Sequence, residues 1–287
     1  QMPIDVEKAM SAPISPMEFE YDQDKVILYA LGVGAGVPST DKDELKFTYE
    51  SGLKALPTFG VVPPFASLMK TVGHPGLKFN PMLLLHGEQY LEIRKTPIPV
   101  KAKTINKPAI KAIYDKGKGA ALLLECVTEN EKGEELFYNV FTLFLRGEGG
   151  FGGDSGPKVE FALPDRAPDK SVSLKTLPQQ AILYRLSGDK NPLHIDPGFA
   201  TIGGFEKPIL HGLCTFGHVG RAVLLAFCGN DPAKFKSINV RFASHVFPGE
   251  TIVTEMWQTA PDTILLKAKT AERGLDVITN ATVKLNV

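Results

Sequence analysis

Tyr184-Arg185-Leu186-Ser187-Gly188-Asp189-Lys190-Asn191-Pro192-Leu193-His194-Ile195-Asp196-Pro197 is the stretch around which the rest of the chain is read. A carboxylate, Asp189, and an imidazole, His194, stand close together, with Gly188, Asn191 and Pro192 around them. These are turn formers, and Pro192 disfavours helical geometry at Asn191. A shared helix face is therefore not expected; a turn folds back and aims both side chains at one point. An Asp and a His aimed at one water form a general acid/base pair, worth roughly 10² to 10⁴ in rate. The competing reading is a polar surface turn that caps a helix.

C-terminal to this stretch, residues 198–204 read as loop. His211 to Phe227 reads as a helix, because Leu213, Phe216, Gly220, Val223 and Phe227 recur at spacings of three and four. Gly229 and Pro232 end it. Strands are expected at Phe235–Phe242, Thr251–Gln258, Thr263–Thr270 and Val277–Asn286, with a turn at Gly274. On the N-terminal side, Gln179–Leu186 forms a short helix leading into the turn.

The first half follows the same order. After an arm (residues 1–23), a helix or turn is expected at Asp24–Leu31, then a strand at Leu45–Glu50 and a short, broken buried helix at Pro57–Met69. His86–Ile93, Ala109–Lys116, Ala120–Thr128 and Glu135–Leu145 read as a four-stranded antiparallel meander, with turns at Gly117 and Gly133. Gly32, Gly34 and Gly36 lack the further glycine and helix start of a dinucleotide fingerprint, so they carry no nucleotide site. Residues 149–168, rich in glycine, are expected as a flexible linker between repeats at 24–148 and 169–287. Tyr29–Gly34 aligns with Tyr184–Asp189, and Gly34 stands where the second half has Asp189. One chain then carries one acid/base pair, in the second half, while the first half is expected to be a glycine-lined space opened for a long apolar ligand. Pairing the two halves edge to edge would close the open sheet edge of each.

The chain has 287 residues, with 32 Lys+Arg against 32 Asp+Glu, 43% apolar and 22% charged. This describes a globular protein with a sizeable core and no bulk field for nucleic acid or an anionic membrane. No run of about 18 apolar residues is present, so no membrane span is expected. Cys126, Cys214 and Cys228 each lie in apolar runs, as buried free thiols do in a reducing compartment. The six histidines show no metal-ligand spacing, so no metal is expected.

The run Tyr-Arg-Leu-Ser-Gly-Asp-x-Asn-Pro-Leu-His-Ile-Asp-Pro, followed by Pro208-Ile209-Leu210-His211-Gly212-Leu213-Cys214-Thr215-Phe216-Gly217, resembles the signature of type 2, (R)-specific enoyl-CoA hydratases. These are MaoC-like proteins of the hot-dog fold. Tyr29–Gly34, His86–Tyr90 and Gly149–Gly153 resemble the eukaryotic double form, the hydratase part of peroxisomal multifunctional enzymes. The resemblance covers residues 18–287. It implies an α+β double hot-dog: two antiparallel sheets, each wrapped around a long helix, related by pseudo-symmetry. It implies reversible hydration of trans-2-enoyl-CoA to (R)-3-hydroxyacyl-CoA in fatty acid β-oxidation. No cofactor is needed, since CoA is part of the substrate and the thioester supplies the activation. It also implies a homodimer, fused to or acting with a (3R)-hydroxyacyl-CoA dehydrogenase, in the peroxisome. The last residues are not a Ser-Lys-Leu type address, and Gln1 in place of Met fits an excised piece of a longer chain.

In this chemistry Asp189 and His194 hold and deprotonate the water, Asn191 orients it, and Gly212 at the helix start donates to the developing oxyanion. The resemblance implies CoA contacts from His86, Gly87, Lys116 and Phe242, although Lys116 also reads as an ordinary solvated lysine. Tyr184 packs and hydrogen-bonds near the site. His211 is a buried structural residue or a support; Asp196 orients His194 or caps the next turn. Glu50, on an apolar strand, is expected to brace the interface between halves. A hot-dog thioesterase and a non-catalytic acyl-CoA binder remain as alternatives. The acid/base turn followed by Gly212 favours hydration over the first, and the survival of Asp189, Asn191 and His194 argues against the second.

Overall fold

The computed structural model describes residues 4–287; residues 1–3 of the expected arm lie outside the described residues. In chain order come α1 (Val6–Ser11), β1 (Met17–Tyr21), α2 (Gln23–Gly32), α3 (Lys42–Thr48), β2 (Leu84–Ile93), β3 (Ala102–Asp115), β4 (Gly119–Asn130) and β5 (Glu135–Arg146). The second half adds β6 (Lys170–Lys175), α4 (Gln180–Tyr184), α5 (Pro197–Ile202), α6 (Gly212–Phe227), β7 (Phe235–Phe242), β8 (Thr251–Ala260), β9 (Thr263–Thr270) and β10 (Asp276–Leu285). All ten strands form one antiparallel sheet in the order β1-β3-β4-β5-β2-β7-β10-β9-β8-β6. The halves therefore share a single sheet, joined where Glu88–Glu92 of β2 pairs with Arg241–Ser237 of β7.

Strands β7 to β10 coincide with their sequence expectation to within two residues, because each largely alternates inside and outside; β6 was not expected. The first half departs in three ways. Its strands are not a simple meander: β2 pairs with β5, on the far side from β3. β3 begins at Ala102, ahead of Pro108, because β1 pairs only with Ala102–Asn106. Pro108 thus falls beyond that pairing, where its missing N–H costs no ladder bond on the β1 side. The expected strand at 45–50 is instead part of α3. Asp41 caps that helix by accepting from Asp43 N at 2.8 Å, and Asp43 and Glu44 fill its first turn, the charge pattern that favours a helix start.

Only the second half wraps a long helix. α6 is buried from Leu213 through Leu224, as an all-round apolar helix must be. Its close approach to the first half needs small residues: a Cβ at Gly217 would sit 2.4 Å from Val33 Cγ1, and one at Gly220 would sit 2.6 Å from Thr58 Cγ2. The counterpart in the first half is broken into 3-10 turns at Pro57–Val61 and Phe65–Thr71, since prolines at 57, 63 and 64 interrupt the α-helical ladder. The expected arm is packed as well. Ile4 is buried and bridges to Leu77, and β1 forms one edge of the sheet.

The glycine-rich segment is not a flexible tether at its start. Gly150 N and Gly152 N both donate to the Asp115 carboxylate at 2.8 Å, and Phe151 packs against the apolar cluster around Ile113 and Leu143. Among the described residues no helix is long and apolar enough to cross a membrane. Cys126, Cys214 and Cys228 are all buried and free.

Candidate active site

A cavity of about 1340 Å³ opens between the two halves. Asp189, Asn191, His194 and Gly212 from the second half line it, with His86 and Gly87 of β2, Lys116 and Phe242. Eight sequence-picked residues are thus brought to one space.

The acid/base turn is built as its composition demands. Gly188 takes φ +134°, open to glycine. Asp189 Oδ1 accepts from Asn191 N at 3.1 Å, and Asn191 Oδ1 accepts from Leu193 N at 3.0 Å, starting the 3-10 turn Pro192–His194. That leaves Asn191 Nδ2 as its free donor. His194 Nδ1 lies 2.8 Å from the Ile209 carbonyl oxygen. A carbonyl only accepts, so Nδ1 carries the proton and Nε2 presents a lone pair. That Nε2 is 3.9 Å from Asp189 Oδ2, too long for a direct hydrogen bond and suited to a water that touches both. Burial is the main cause that holds the His194 pKa below the usual histidine value, outweighing the Asp189 carboxylate. The ring is therefore a neutral base at neutral pH.

His211 supports this turn from below. Its ring stacks on His194 at 3.8 Å between centroids, and its Nε2 donates to the Asp189 carbonyl at 3.1 Å. Burial, reinforced by the neighbouring His194, pushes its pKa down to about 2. Tyr184 is buried against His211, with ring centroids 4.8 Å apart. Gly212 is the first residue of α6, and the N–H groups of Gly212 and Leu213 have no carbonyl four residues back within the helix. A Cβ at Gly212 would sit 3.3 Å from the Phe242 ring.

On the opposite wall, β2 carries a bulge at Gly87, between the pairs His86–Leu143 and Glu88–Thr142. A bulge re-aims the adjacent side chain, and His86 stands 5.0 Å from the Phe242 ring, with Nε2 2.9 Å from Gln89 Oε1. Burial lowers the His86 pKa to about 4. Lys116 is exposed at the mouth, its ammonium donating to the Ser155 carbonyl.

Of the two supporting assignments, Asp196 resolves to the capping alternative and Glu50 departs from the sequence reading. Asp196 caps α5, accepting from Gly198 N at 2.8 Å and Phe199 N at 3.2 Å, so it does not orient His194; this cap is also why residues 197–202 form a helix and not a loop. Glu50 is exposed after α3 and braces nothing. The brace between halves is Glu44, whose carboxylate pairs with Arg221 at 2.9 and 3.1 Å and accepts from Gly36 N at 2.8 Å. Both side chains are buried, at 8% and 7% exposure. Sequence held a signal for this pair: a lone arginine in a largely apolar helix needs a buried acid.

Gly32, Gly34 and Gly36 of the first half do not line the cavity. A Cβ at Gly34 would sit 2.8 Å from His218 Nε2 and 3.3 Å from an Arg221 guanidinium nitrogen, and Gly32 lies against Tyr184. The cavity's apolar end comes from Phe65, Leu68, Met69, Val72 and Leu84. Among the described residues, Asp189, His194 and His211 are the one trio of histidine, cysteine and carboxylate groups whose ligand-capable atoms fall within 4.8 Å of one another. Sequence spacing did not foreshadow it, because the fold brings the trio together. With His194 Nδ1 and His211 Nε2 engaged by backbone carbonyls, each ring has one nitrogen left.

One antiparallel sheet around a central helix, with an acid/base turn facing a helix N-terminus, defines a hot-dog protein of the MaoC-like class. A family model described as the MFE-2 hydratase 2 N-terminal domain matches residues 19–147, and one described as a MaoC like domain matches residues 160–281. The chain is 48% identical to a "Probable enoyl-CoA hydratase 2" of Dictyostelium discoideum, covering 97% of this chain and 96% of that protein. It is 47% identical to the "Peroxisomal multifunctional enzyme type 2" of Mus musculus, over 92% of this chain and 36% of that protein. The crystal structure of a MaoC-like dehydratase from Phytophthora capsici superposes with a TM-score of 0.86 at 36% identity, covering 99% of both chains. The chain belongs to the enoyl-CoA hydratase 2 family of MaoC-like proteins.

Proposed function

We propose that the chain adds water reversibly to trans-2-enoyl-CoA thioesters in fatty acid β-oxidation, giving the (R)-3-hydroxyacyl-CoA. The observation that carries this is the 3.9 Å gap between His194 Nε2 and Asp189 Oδ2, lined up on the same cavity as the start of α6. Water held in that gap gives its proton to the Asp189/His194 pair as its oxygen bonds to C3. The π electrons move onto the thioester oxygen, which the Gly212 N–H and the α6 dipole stabilise. The pair then returns the proton to C2, so the enzyme ends as it began. Asn191 Nδ2 orients the water, and His211 holds the turn through the Asp189 carbonyl.

The proposed substrate is a medium to long, or bulky, acyl chain. A volume of about 1340 Å³ exceeds the roughly 300–1,000 Å³ of common small-molecule sites, and its far end is apolar. His86, Gly87, Lys116 and Phe242 receive the CoA moiety. We further propose a peroxisomal location, a homodimer, and action beside a (3R)-hydroxyacyl-CoA dehydrogenase, in keeping with a multifunctional relative of which the chain spans about a third.

Loss of the conjugated-enoyl absorbance with short and long trans-2-enoyl-CoAs, with chiral analysis of the product, tests the reading. Expected is hydration to the (R)-alcohol, faster with longer chains. Free thiol release in place of hydration would indicate a thioesterase, and binding without turnover a non-catalytic carrier.

A further inference from the structure

The glycine-rich segment that sequence reads as a tether is gathered onto one carboxylate at the cavity mouth. Asp115, the last residue of β3, accepts from Gly117 N at 2.9 Å, Gly150 N at 2.8 Å and Gly152 N at 2.8 Å. Its own N–H donates to the Asp154 carbonyl at 2.7 Å. The loop then runs back across the hairpin: Lys116 Nζ donates to the Ser155 carbonyl, and a Cβ at Gly156 would sit 2.8 Å from the Tyr114 ring. A Cβ at Gly149 would lie 2.4 Å from the Gly117 carbonyl oxygen, so backbone packs on backbone with no room for a side chain. Tyr114 and Lys116, which the loop packs against, line the cavity, and so does Pro157 directly after Gly156. The three N–H donors also keep the Asp115 pKa below the usual carboxylate range, so the acceptor stays charged.

We propose that Asp115 is a positioning residue for thioester binding: it clasps residues 147–157 onto the β3–β4 hairpin and so aims the Lys116 ammonium at the phosphates of CoA. This rests on the hydratase reading above. Asp115 touches neither the reacting atoms nor Asp189 and His194, so its loss acts on binding and not on the chemical step. An exposed lysine at the end of a hairpin otherwise samples many rotamers. Holding one of its three donors on Ser155 leaves two directed by the loop.

The test compares hydration of trans-2-decenoyl-CoA with that of the N-acetylcysteamine thioester of the same acid, which carries no phosphate. Variants are Asp115→Asn, Lys116→Ala and the double variant. Asparagine keeps the size but offers an N–H₂ where one acceptor stood. Expected is a KM for the CoA thioester raised about fivefold or more with kcat within about twofold, the signature of lost uniform binding. The short thioester should be unaffected, and the double variant no worse than Lys116→Ala. Gly152→Ala, which strains the same loop at φ +77° without touching a strand, should reproduce the KM shift if Asp115→Asn folds poorly. Unchanged KM in both loop variants overturns the inference, as do equal losses on both thioesters or effects that multiply in the double variant. An active parent with unchanged variants sinks the inference alone; a parent that hydrates neither thioester sinks the hydratase reading and the inference with it.

Discussion

Gly34 and Asp189 end aligned stretches in the two halves, and their surroundings are opposite. At Gly34 the side chains of α6 close in: a Cβ there meets His218 at 2.8 Å and Arg221 at 3.3 Å. At Asp189 the carboxylate is 23% exposed and faces the cavity, with His194 3.9 Å away. The helices differ in the same sense. α6 is continuous and presents its start to the cavity, whereas its counterpart is broken into 3-10 turns, and the second of these, Phe65–Thr71, lines the apolar end. A duplicated scaffold thus assigns chemistry to one half and space to the other. The half without chemistry fills its vacated turn with an ion pair that ties it to α6.

Breaking that tie should have the largest effect on stability. Removing one member of a buried pair leaves an uncompensated charge, so Glu44→Gln is expected to cost about 3–5 kcal/mol in denaturant unfolding. The folded fraction should retain its turnover, because Glu44 lies outside the cavity lining. Next is Gly34→Asp, which restores the aligned carboxylate. It should destabilise by roughly 1–3 kcal/mol through overpacking against His218, and it should not rescue Asp189→Ala. Rescue would show the first half to be a latent site. Gly212→Ala sharpens the comparison from the catalytic side. Its Cβ crowds the Phe242 ring at 3.3 Å, so kcat/KM is expected to fall about tenfold or more, since small misplacement of reacting groups is costly, while the melting temperature moves little. Equal loss of both would remove its oxyanion role.

A pH slope tests the buried rings at the start of α6 and within it. His211 and His218 are buried neutral, with pKa values lowered to about 2 and about 4. Unfolded histidine binds its proton near pH 6.5, so the unfolded state holds more protons below that value. Stability is therefore full above about pH 6.5 and falls as pH drops, by up to about 1.4 kcal/mol per pH unit for each ring. The His218 contribution levels off near pH 4 and that of His211 near pH 2. Unfolding free energy measured between pH 7 and 4 checks this; a flat profile would mean that the rings are charged or exposed.

Much of this was legible in the residues. Alternation, though broken in places, marked β7 to β10, and the turn chemistry of Gly188, Asn191 and Pro192 placed the acid/base pair. Edge strands β1 and β6 were overlooked, although Met17–Tyr21 and Lys170–Lys175 alternate, because they are short and flanked by loop-like sequence. Sheet order was not legible: local pattern says that β2 is a strand, not that it joins the halves. Asp115 was hidden for a similar reason, since its partners lie 35 and 37 residues away. The six-residue alternation of Leu45–Glu50 points to Glu50 as a strand carboxylate, whereas the cap at Asp41 places Lys42–Thr48 in a helix that buries Glu44.

Hydration of trans-2-decenoyl-CoA by Asp189→Ala and His194→Ala, beside the parent chain, tests the central claim most directly. Each variant is expected to melt near the parent temperature and to lose roughly 10² to 10⁴ in kcat. Full turnover by a folded Asp189→Ala chain would contradict it.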